Sequence, residues 1–280
     1  MKKLAVSTFA ALVLAIPLVT PVLAQTAPAA APASPHTFTG NATVISDYRF
    51  RGISQTYRGP AFQGGFDYAH GSGFYLGNWN SNVSTAVYPS GAGLEMDLYG
   101  GWKKSFGDFN VDLGSIYYLY PGAKLDTTRG TRKFNNWEAY VGFGYKFVSF
   151  KAYYALTPYF GLDGALAQSG YWADKSRANA TLPDRGTSRG TLYYDLTLAY
   201  EVIPKLTLIG HVGYTDVRKY NELDYLDYKV GATYDYNGWL FGASVIGTDA
   251  KKQWYYTAGS RAHIRQTGQP ALVVSLGKTF

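Results

Sequence analysis

Hydrophobic and polar positions alternate along most of the chain, and the pattern is clearest at its end. In the last ten residues, ALVVSLGKTF, one side carries Leu272, Val274, Leu276, Lys278 and Phe280, and the other side is mostly small or polar. A repeat of two is the period of a β-strand whose faces meet different environments. Such a strand is either the edge of a soluble sandwich or the closing strand of a transmembrane barrel, with an aromatic residue at the membrane interface.

Twelve segments show this alternation. They span residues 37–51, 60–70, 73–83, 93–103, 108–120, 135–147, 148–157, 191–202, 205–215, 225–236, 239–247 and 269–280. Tight turns, such as Asn237-Gly238, alternate with longer connections at 52–59, 84–92, 121–134, 158–190, 216–224 and 248–268. Short turns at one rim and long loops at the other are typical of bacterial outer-membrane proteins. The sequence therefore predicts an all-β fold, a transmembrane antiparallel β-barrel of about 12 strands.

The apolar faces of these segments carry almost no charge. In segment 191–202, Leu192, Tyr194 and Leu196 alternate with Tyr193 and Asp195, and Lys278 is the only charged residue on any apolar face. A Lys or Arg on the lipid face at mid-membrane costs about 2–4 kcal/mol, so the pattern is the one that a bilayer selects.

Segment 73–83 is ambiguous, because its asparagines share a face with apolar residues. We place Asn78, Asn80 and Asn82 inside the barrel and Tyr75, Trp79 and Val83 outside. The outward aromatic residues form two girdles, as at both interfaces of a membrane barrel. Toward the long loops the girdle comprises Tyr48, Phe50, Phe62, Trp137, Tyr154, Tyr194 and Tyr228; near the turns it comprises Phe66, Tyr68, Trp102, Phe109, Tyr145, Phe147, Tyr200, Tyr236, Trp239 and Phe280.

The first 24 residues have the three parts of a secretory signal. Lys2 and Lys3 precede an apolar run over 4–19, and Val22-Leu23-Ala24 provides a cleavage site. The alternative, a retained membrane helix, is disfavoured by two prolines near the end of the run. Residues 25–36 form an Ala/Pro-rich linker, and we expect 37–280 to form the barrel. The sequence has no cysteine, which excludes a lipoprotein and any disulfide framework.

Charge is distributed unevenly in this chain of net charge +7. Ten acidic and five basic side chains fall on the predicted inner faces, giving a lumen charge near −5 that favours cations. The pore-lining candidates are Asp47, Arg49, Arg51, Glu95, Asp97, Glu138, Asp195, Asp227 and Lys229. The loops have a basic excess, which is either a solvated surface or a contact for lipopolysaccharide phosphates.

Two functions fit these features. Barrels of eight strands are filled by side chains and those of sixteen leave a channel, so twelve strands are intermediate. The first function is passive diffusion of small polar solutes or ions; the second is a plugged barrel with a structural or surface-binding role. We expect no enzyme, since the four histidines lack metal-ligand spacing and no Gly-x-Ser-x-Gly elbow occurs.

We also expect no cofactor and no nucleic-acid partner. The expected partners are outer-membrane lipid, lipopolysaccharide, small polar solutes or ions, and the outer-membrane barrel assembly machinery during biogenesis.

Four stretches carry a family resemblance. SDYRFRGISQT (46–56), PAFQGGFDY (60–68), GFYLGNWNSNV (73–83) and EMDLYGGW (95–102) resemble the TorF-type porins of proteobacteria. The resemblance is specific over residues 40–105 and rests mainly on strand rhythm beyond them. It implies an outer-membrane location and a porin, but no catalytic residues and no particular solute.

Overall fold

The computed structural model describes residues 34–174, 180–258 and 264–280. The predicted signal peptide, residues 1–24, and most of the predicted linker at 25–36 lie outside the described residues. Twelve antiparallel strands form one closed barrel in which each strand pairs with its neighbours in the chain. They are β1 (His36–Ile45), β2 (Ala61–His70), β3 (Phe74–Asn82), β4 (Leu94–Phe106), β5 (Phe109–Leu119), β6 (Asn136–Tyr145), β7 (Val148–Ala155), β8 (Leu192–Ile203), β9 (Leu206–Asp216), β10 (Tyr225–Tyr236), β11 (Trp239–Thr248) and β12 (Ala271–Thr279).

The barrel closes where its first and last strands meet. β12 pairs with β1, and the backbone N–H of Phe280 donates to the carbonyl of Gly40 at 2.9 Å while Gly40 donates back to Phe280 at 2.7 Å. The prediction that the last segment is a closing strand is confirmed. Asn237 and Gly238 both have positive φ angles, 52° and 81°, as the tight hairpin turn between β10 and β11 requires.

The outer surface of the barrel is apolar. Phe66, Val230 and Leu272 are each about two-thirds exposed, at 68%, 67% and 68%. Lys278, near the turn end of β12, lies 4.8 Å from the centre of the Trp239 ring, so its charge is carried at the rim. A continuous apolar surface of this extent is a lipid-contacting surface. The protein is therefore a transmembrane barrel of the bacterial outer membrane. No helix among the described residues has the length and apolar character needed to cross a bilayer.

The first predicted strand, 37–51, is too long. β1 ends at Ile45, and residues 46–60, here called the inner segment, turn into the barrel and form a small hairpin of Arg49–Phe50 with Ile53–Ser54. Tyr48 and Phe50, predicted in the outer girdle, consequently lie inside. A strand of ten residues already suffices to cross the membrane, so the chain is free to leave the wall after Ile45.

The predicted orientation of segment 73–83 is wrong. Tyr75 and Trp79 face the interior, where Trp79 is 1% exposed, and Val83 is buried as well. Asn78 and Asn80 lie on the outer face, which they share with the exposed Phe74 and Leu76. Asn80 donates to the side chain of Asn78 at 2.6 Å, and both amides also donate to backbone carbonyls of the wall. These bonds satisfy polar groups that would otherwise be costly on this face.

Tyrosine dominates the interior near the long loops. One buried cluster joins Tyr48, Trp79, Tyr88, Tyr99, Ile116, Tyr118, Tyr120, Phe134, Tyr140, Tyr153, Leu166 and Tyr193 with neighbouring small residues. A second cluster, which includes Leu162, Leu182 and Tyr220, lies among the loops. The two faces of the wall therefore differ: the outer face is apolar, and the inner face is aromatic with polar tips.

Candidate functional site: an occluded lumen

The inner segment is fixed to the barrel wall by Arg49. Its guanidinium lies 2.7 Å from Asp47 and donates to the backbone carbonyls of Gly52, Ile246 and Gln269, the last at 2.7 Å. Ile246 belongs to β11, and Gln269 lies just before β12. One side chain thus ties the inner segment to the opposite end of the chain.

Arg51 holds the tip of the inner segment. It has a positive φ of 45°, and Gly52 follows with a φ of 77°, in a place where a Cβ would collide with Thr248 and Asp227. The Arg51 guanidinium donates to Glu138 at 2.6 Å and stacks 4.0 Å from the centre of the Tyr193 ring. The glycine permits the sharp turn that carries Arg51 into this position.

The nine predicted pore-lining residues fall into three groups. The first is the salt-bridged set of Asp47 with Arg49 and Arg51 with Glu138; the second is Glu95 with Asp97; the third is Asp195, Asp227 and Lys229. All nine have inward positions, but Asp47, Arg49 and Arg51 belong to the inner segment and not to the wall. The prediction placed these three on β1, and that placement is wrong.

Glu95 and Asp97 are packed rather than solvated. Glu95 is 0% exposed and accepts a hydrogen bond from the Tyr48 hydroxyl at 2.8 Å, while one oxygen of each carboxylate has no hydrogen-bond partner among the described residues. Tyr48 comes from the inner segment. These two carboxylates therefore lie beneath packed side chains, and neither lines either of the cavities described below.

His211 lies at the centre of the third group. Its Nε2 is 2.8 Å from Asp227, and its Nδ1 is 3.0 Å from the hydroxyl of Thr197, which donates to Asp195 at 2.9 Å. Both ring nitrogens thus face acceptors. A general base needs a nitrogen that is free to take a proton, so this arrangement gives no support to catalysis. In the described residues, no three metal-ligating side chains cluster in a way that could hold a metal ion.

Two cavities lie on opposite sides of the inner segment. The lumen cavity, of about 220 Å³, is lined by five of the predicted residues, Arg49, Arg51, Asp195, Asp227 and Lys229. The vestibule, of about 360 Å³, lies at the loop end and is lined by residues of the inner segment, the long loops and the start of β10. Among the described residues that line them, Phe50 alone is common to both cavities. Its ring separates them.

Phe50 is the residue of this site that the sequence pattern misplaces most. In the alternating pattern it occupies an outward, lipid-facing position, whereas in the structure it packs edge-on against Tyr118 and Phe160, at 5.3 and 5.6 Å between ring centres. The length of the first segment is the signal that could have identified it, since 37–51 exceeds what a membrane strand needs.

Comparison with known families gives a match over the whole barrel. The profile of a family described as "Bacterial protein of unknown function (Gcw_chp)" matches residues 29–280. The chain belongs to this family. Among curated proteins, none matches it.

Solved barrels resemble this one at low sequence identity. The KdgM porin is 10% identical, with 86% of this chain and 98% of that chain covered and a TM-score of 0.48. The NanC porin is 10% identical, with 87% and 99% covered and a TM-score of 0.45. Outer membrane phospholipase A from Escherichia coli is 11% identical, with 88% and 97% covered and a TM-score of 0.41.

Proposed function

We propose that this protein is a porin-like channel of the outer membrane for passive diffusion of small polar solutes or ions, with the inner segment as its constriction. The observation that supports this function is the pair of cavities that meet at Phe50. A solute that enters the vestibule has one ring and one hairpin between it and the polar lumen cavity. The resemblance of residues 46–56 to TorF-type porins agrees with this proposal, which includes insertion by the barrel assembly machinery.

A second candidate is a plugged barrel with a structural or surface-binding role. It is favoured by the burial of the Arg51–Glu138 pair, whose side chains are 4% and 2% exposed, because a mobile plug would have to break it. In this case the basic loops would contact lipopolysaccharide. Arg132 and Arg185 already pair with Asp163 and Glu222, so exposed bases such as Lys133, Lys251 and Lys252 would bind the phosphates.

Replacing the inner segment distinguishes the two candidates. Ile45 and Ala61 are direct partners across β1 and β2, so an Asn-Gly turn can replace residues 46–60 without altering the wall. Single-channel currents in planar bilayers are recorded for the native chain and for this variant, after heat-modifiable migration on gels has shown that both are folded. We expect small, salt-dependent steps from the native protein and larger steps from the variant.

Phe50→Ala tests the constriction itself. Removing the ring joins the two cavities, so the conductance should rise several-fold while the wall is unchanged. Phe62→Ala, which removes a 65% exposed ring from the lipid face, is the matched control and should leave the current unaltered. If the native chain carried no current and the variant that lacks the inner segment did, the plugged barrel would be established. If neither of these two folded proteins carried a current, the channel would be refuted.

A further inference from the structure

The vestibule is a separate cavity with walls from many parts of the chain. Phe50 comes from the inner segment, Tyr88 from the β3–β4 loop, Phe160 and Trp172 from the β7–β8 loop, and Trp254 from the β11–β12 loop. Its volume of about 360 Å³ lies within the range of small-molecule sites. Aromatic residues from several loops thus face one cavity, which covering the barrel alone does not require.

The aromatic side chains of the wall support one another. Trp172 meets Tyr255 edge-on at 5.5 Å between ring centres, and Tyr255 meets Tyr225 edge-on at 5.2 Å. Phe134 and Tyr171 form a third such contact at 4.8 Å. Edge-to-face pairs hold rings in fixed orientations. The vestibule is therefore preformed, which lowers the entropic cost of binding a ligand.

Among the described residues that line the vestibule, none carries a charge. Arg51 of the inner segment lines the lumen cavity and is held by Glu138. A carboxylate or an ammonium group in the vestibule would lose its hydration without gaining a counter-charge, which is strongly unfavourable. The wall thus selects against ionic ligands.

Many polar groups of the vestibule wall are already paired within the protein, whereas the indole N–H of Trp172 is a buried donor without a partner among the described residues. Gln55 accepts from Tyr88 at 2.6 Å and donates to a backbone carbonyl, and the hydroxyl of Thr267 donates to the backbone of Tyr255 at 3.1 Å. A sugar, with many hydroxyls, would leave most of them unpaired here, at a cost for each buried polar group. The chemistry that fits is a flat apolar ring with at most one or two polar groups.

We propose that the vestibule is a binding site for a small uncharged aromatic molecule of one or two fused rings. This inference does not depend on conduction, because the ligand binds the vestibule with the inner segment in place, whether or not solutes pass beyond it. The ligand would bind at the loop end of the barrel. It would contact Phe50, whose ring separates the two cavities.

The test uses 5-fluoroindole as the probe and fluorine NMR as the readout, on the folded chain in detergent. Micelles absorb the probe without saturating, so binding is read as the saturable change in shift and linewidth. We expect one saturable site. Ala86→Phe puts a ring into the vestibule and should weaken binding at least tenfold, and Trp254→Ala should weaken it by removing part of the wall. Ala243→Phe, the same change on the exposed outer face of β11, is the matched control and should have no effect.

Competition establishes the ligand class. Unlabelled indole should displace the probe, benzoate should do so at least tenfold less well because its charge is unpaired, and maltose should not displace it. Binding that is equally strong in the native chain and in both vestibule variants would overturn the site. Displacement by maltose or benzoate as effective as by indole would overturn the proposed chemistry. Neither result concerns conductance, so failure here is distinct from failure of the channel.

Discussion

At the scale of single residues, Arg51 combines three roles that usually fall to separate side chains. Its backbone takes the left-handed turn, its charge neutralises Glu138, and its flat guanidinium covers the ring of Tyr193. Lysine could supply the charge, but it has no planar group to stack on the ring and no set of N–H donors in a fixed fork. The buried pair therefore orients the inner segment more than it adds to the net stability of the barrel, since desolvation offsets much of the attraction.

Arg51→Met should destabilise the protein by about 3–5 kcal/mol, because Glu138 is left buried without its counter-charge. The double variant Arg51→Met with Glu138→Leu should recover most of this loss, since the uncompensated charge is gone. Urea titration in lipid vesicles, followed by tryptophan fluorescence, measures the free energy of unfolding. Arg58→Met is the control in the same segment, because among the described residues its guanidinium reaches just the backbone carbonyl of Pro270, at 3.5 Å. If the losses in free energy of unfolding caused by Arg51→Met and by Glu138→Leu simply added in the double variant, the two side chains would not be coupled.

At the scale of elements, the twelve strands could be predicted from the sequence but the inner segment could not. Alternation in segments 191–202 and 225–236 assigns every inward and outward residue correctly, because one side chain in two must face lipid. The same rule fails at Tyr48 and Phe50, since apolar side chains are acceptable both in lipid and in an aromatic interior. It fails again at Asn78 and Asn80, where amides satisfied by wall carbonyls and by each other are tolerated outside.

The candidate site was therefore predictable in composition but not in arrangement. The sequence identifies the charges that point inward, such as Asp195 and Asp227, because charge is excluded from the lipid face. It does not show that Arg49 and Arg51 leave the wall, because only the turn at Gly52 carries them inward. The vestibule depends on loops that approach one another only in the closed barrel, and no periodicity encodes such an approach.

The loops over the mouth are joined by an ion pair that depends on pH. Arg185 donates twice to Glu222, and this bonding lowers the pKa of the Glu222 carboxyl below its ordinary value. A lowered folded-state pKa gives stability that is complete above the ordinary value, about 4.3, and is lost as the pH falls through the lowered value. Both side chains are about one-third exposed, so the contribution should stay below about 1 kcal/mol.

Amide exchange of residues 217–224, corrected for intrinsic rates, should accelerate in the native chain below about pH 4. Glu222→Gln should show the faster exchange already at neutral pH and change little on acidification, because it has no carboxylate to protonate. Asp126→Asn is the control; it lies in the hairpin of Lys124–Thr127 with Gly130–Lys133, where its carboxylate accepts from Thr131, and it should behave like the native chain. A native-like profile in Glu222→Gln would mean that the pair does not hold this loop.

At the scale of the whole molecule, charge compensation inside the barrel is local. Arg49 and Arg51 are each bound to a carboxylate, and Asp195 and Asp227 surround His211. Lys229, in contrast, lines the lumen cavity without an ion pair or hydrogen bond to any described residue. The total of inward charges, on which the sequence-based expectation of cation preference rests, is therefore a poor guide to the field along the path. The ammonium group of Lys229 is a better guide to that field.

Lys229→Gln should shift the reversal potential toward cations in a potassium chloride gradient, measured in the Phe50→Ala background, where the current is larger. The physical reason is that a fixed positive charge beside a narrow path repels cations. Lys252→Gln, at the loop surface, should have little effect, because salt screens exposed charges beyond about 8 Å at physiological ionic strength. An unchanged potential in Lys229→Gln would show that ions do not pass through the lumen cavity.

The hydrogen bonds of Arg49 also imply an order of events during biogenesis. Its acceptors, the carbonyls of Ile246 and Gln269, lie some two hundred residues later in the chain and take their places only when β11 and β12 have joined the wall. Contacts between such distant parts of a chain form late, because the intervening loop must be closed first. The bonds of Arg49 are therefore the last of these contacts to form, after Arg51 has met Glu138 and Tyr48 has met Glu95. We expect a newly inserted barrel to pass through a stage in which its seam is unsealed and its inner segment is held from one side only.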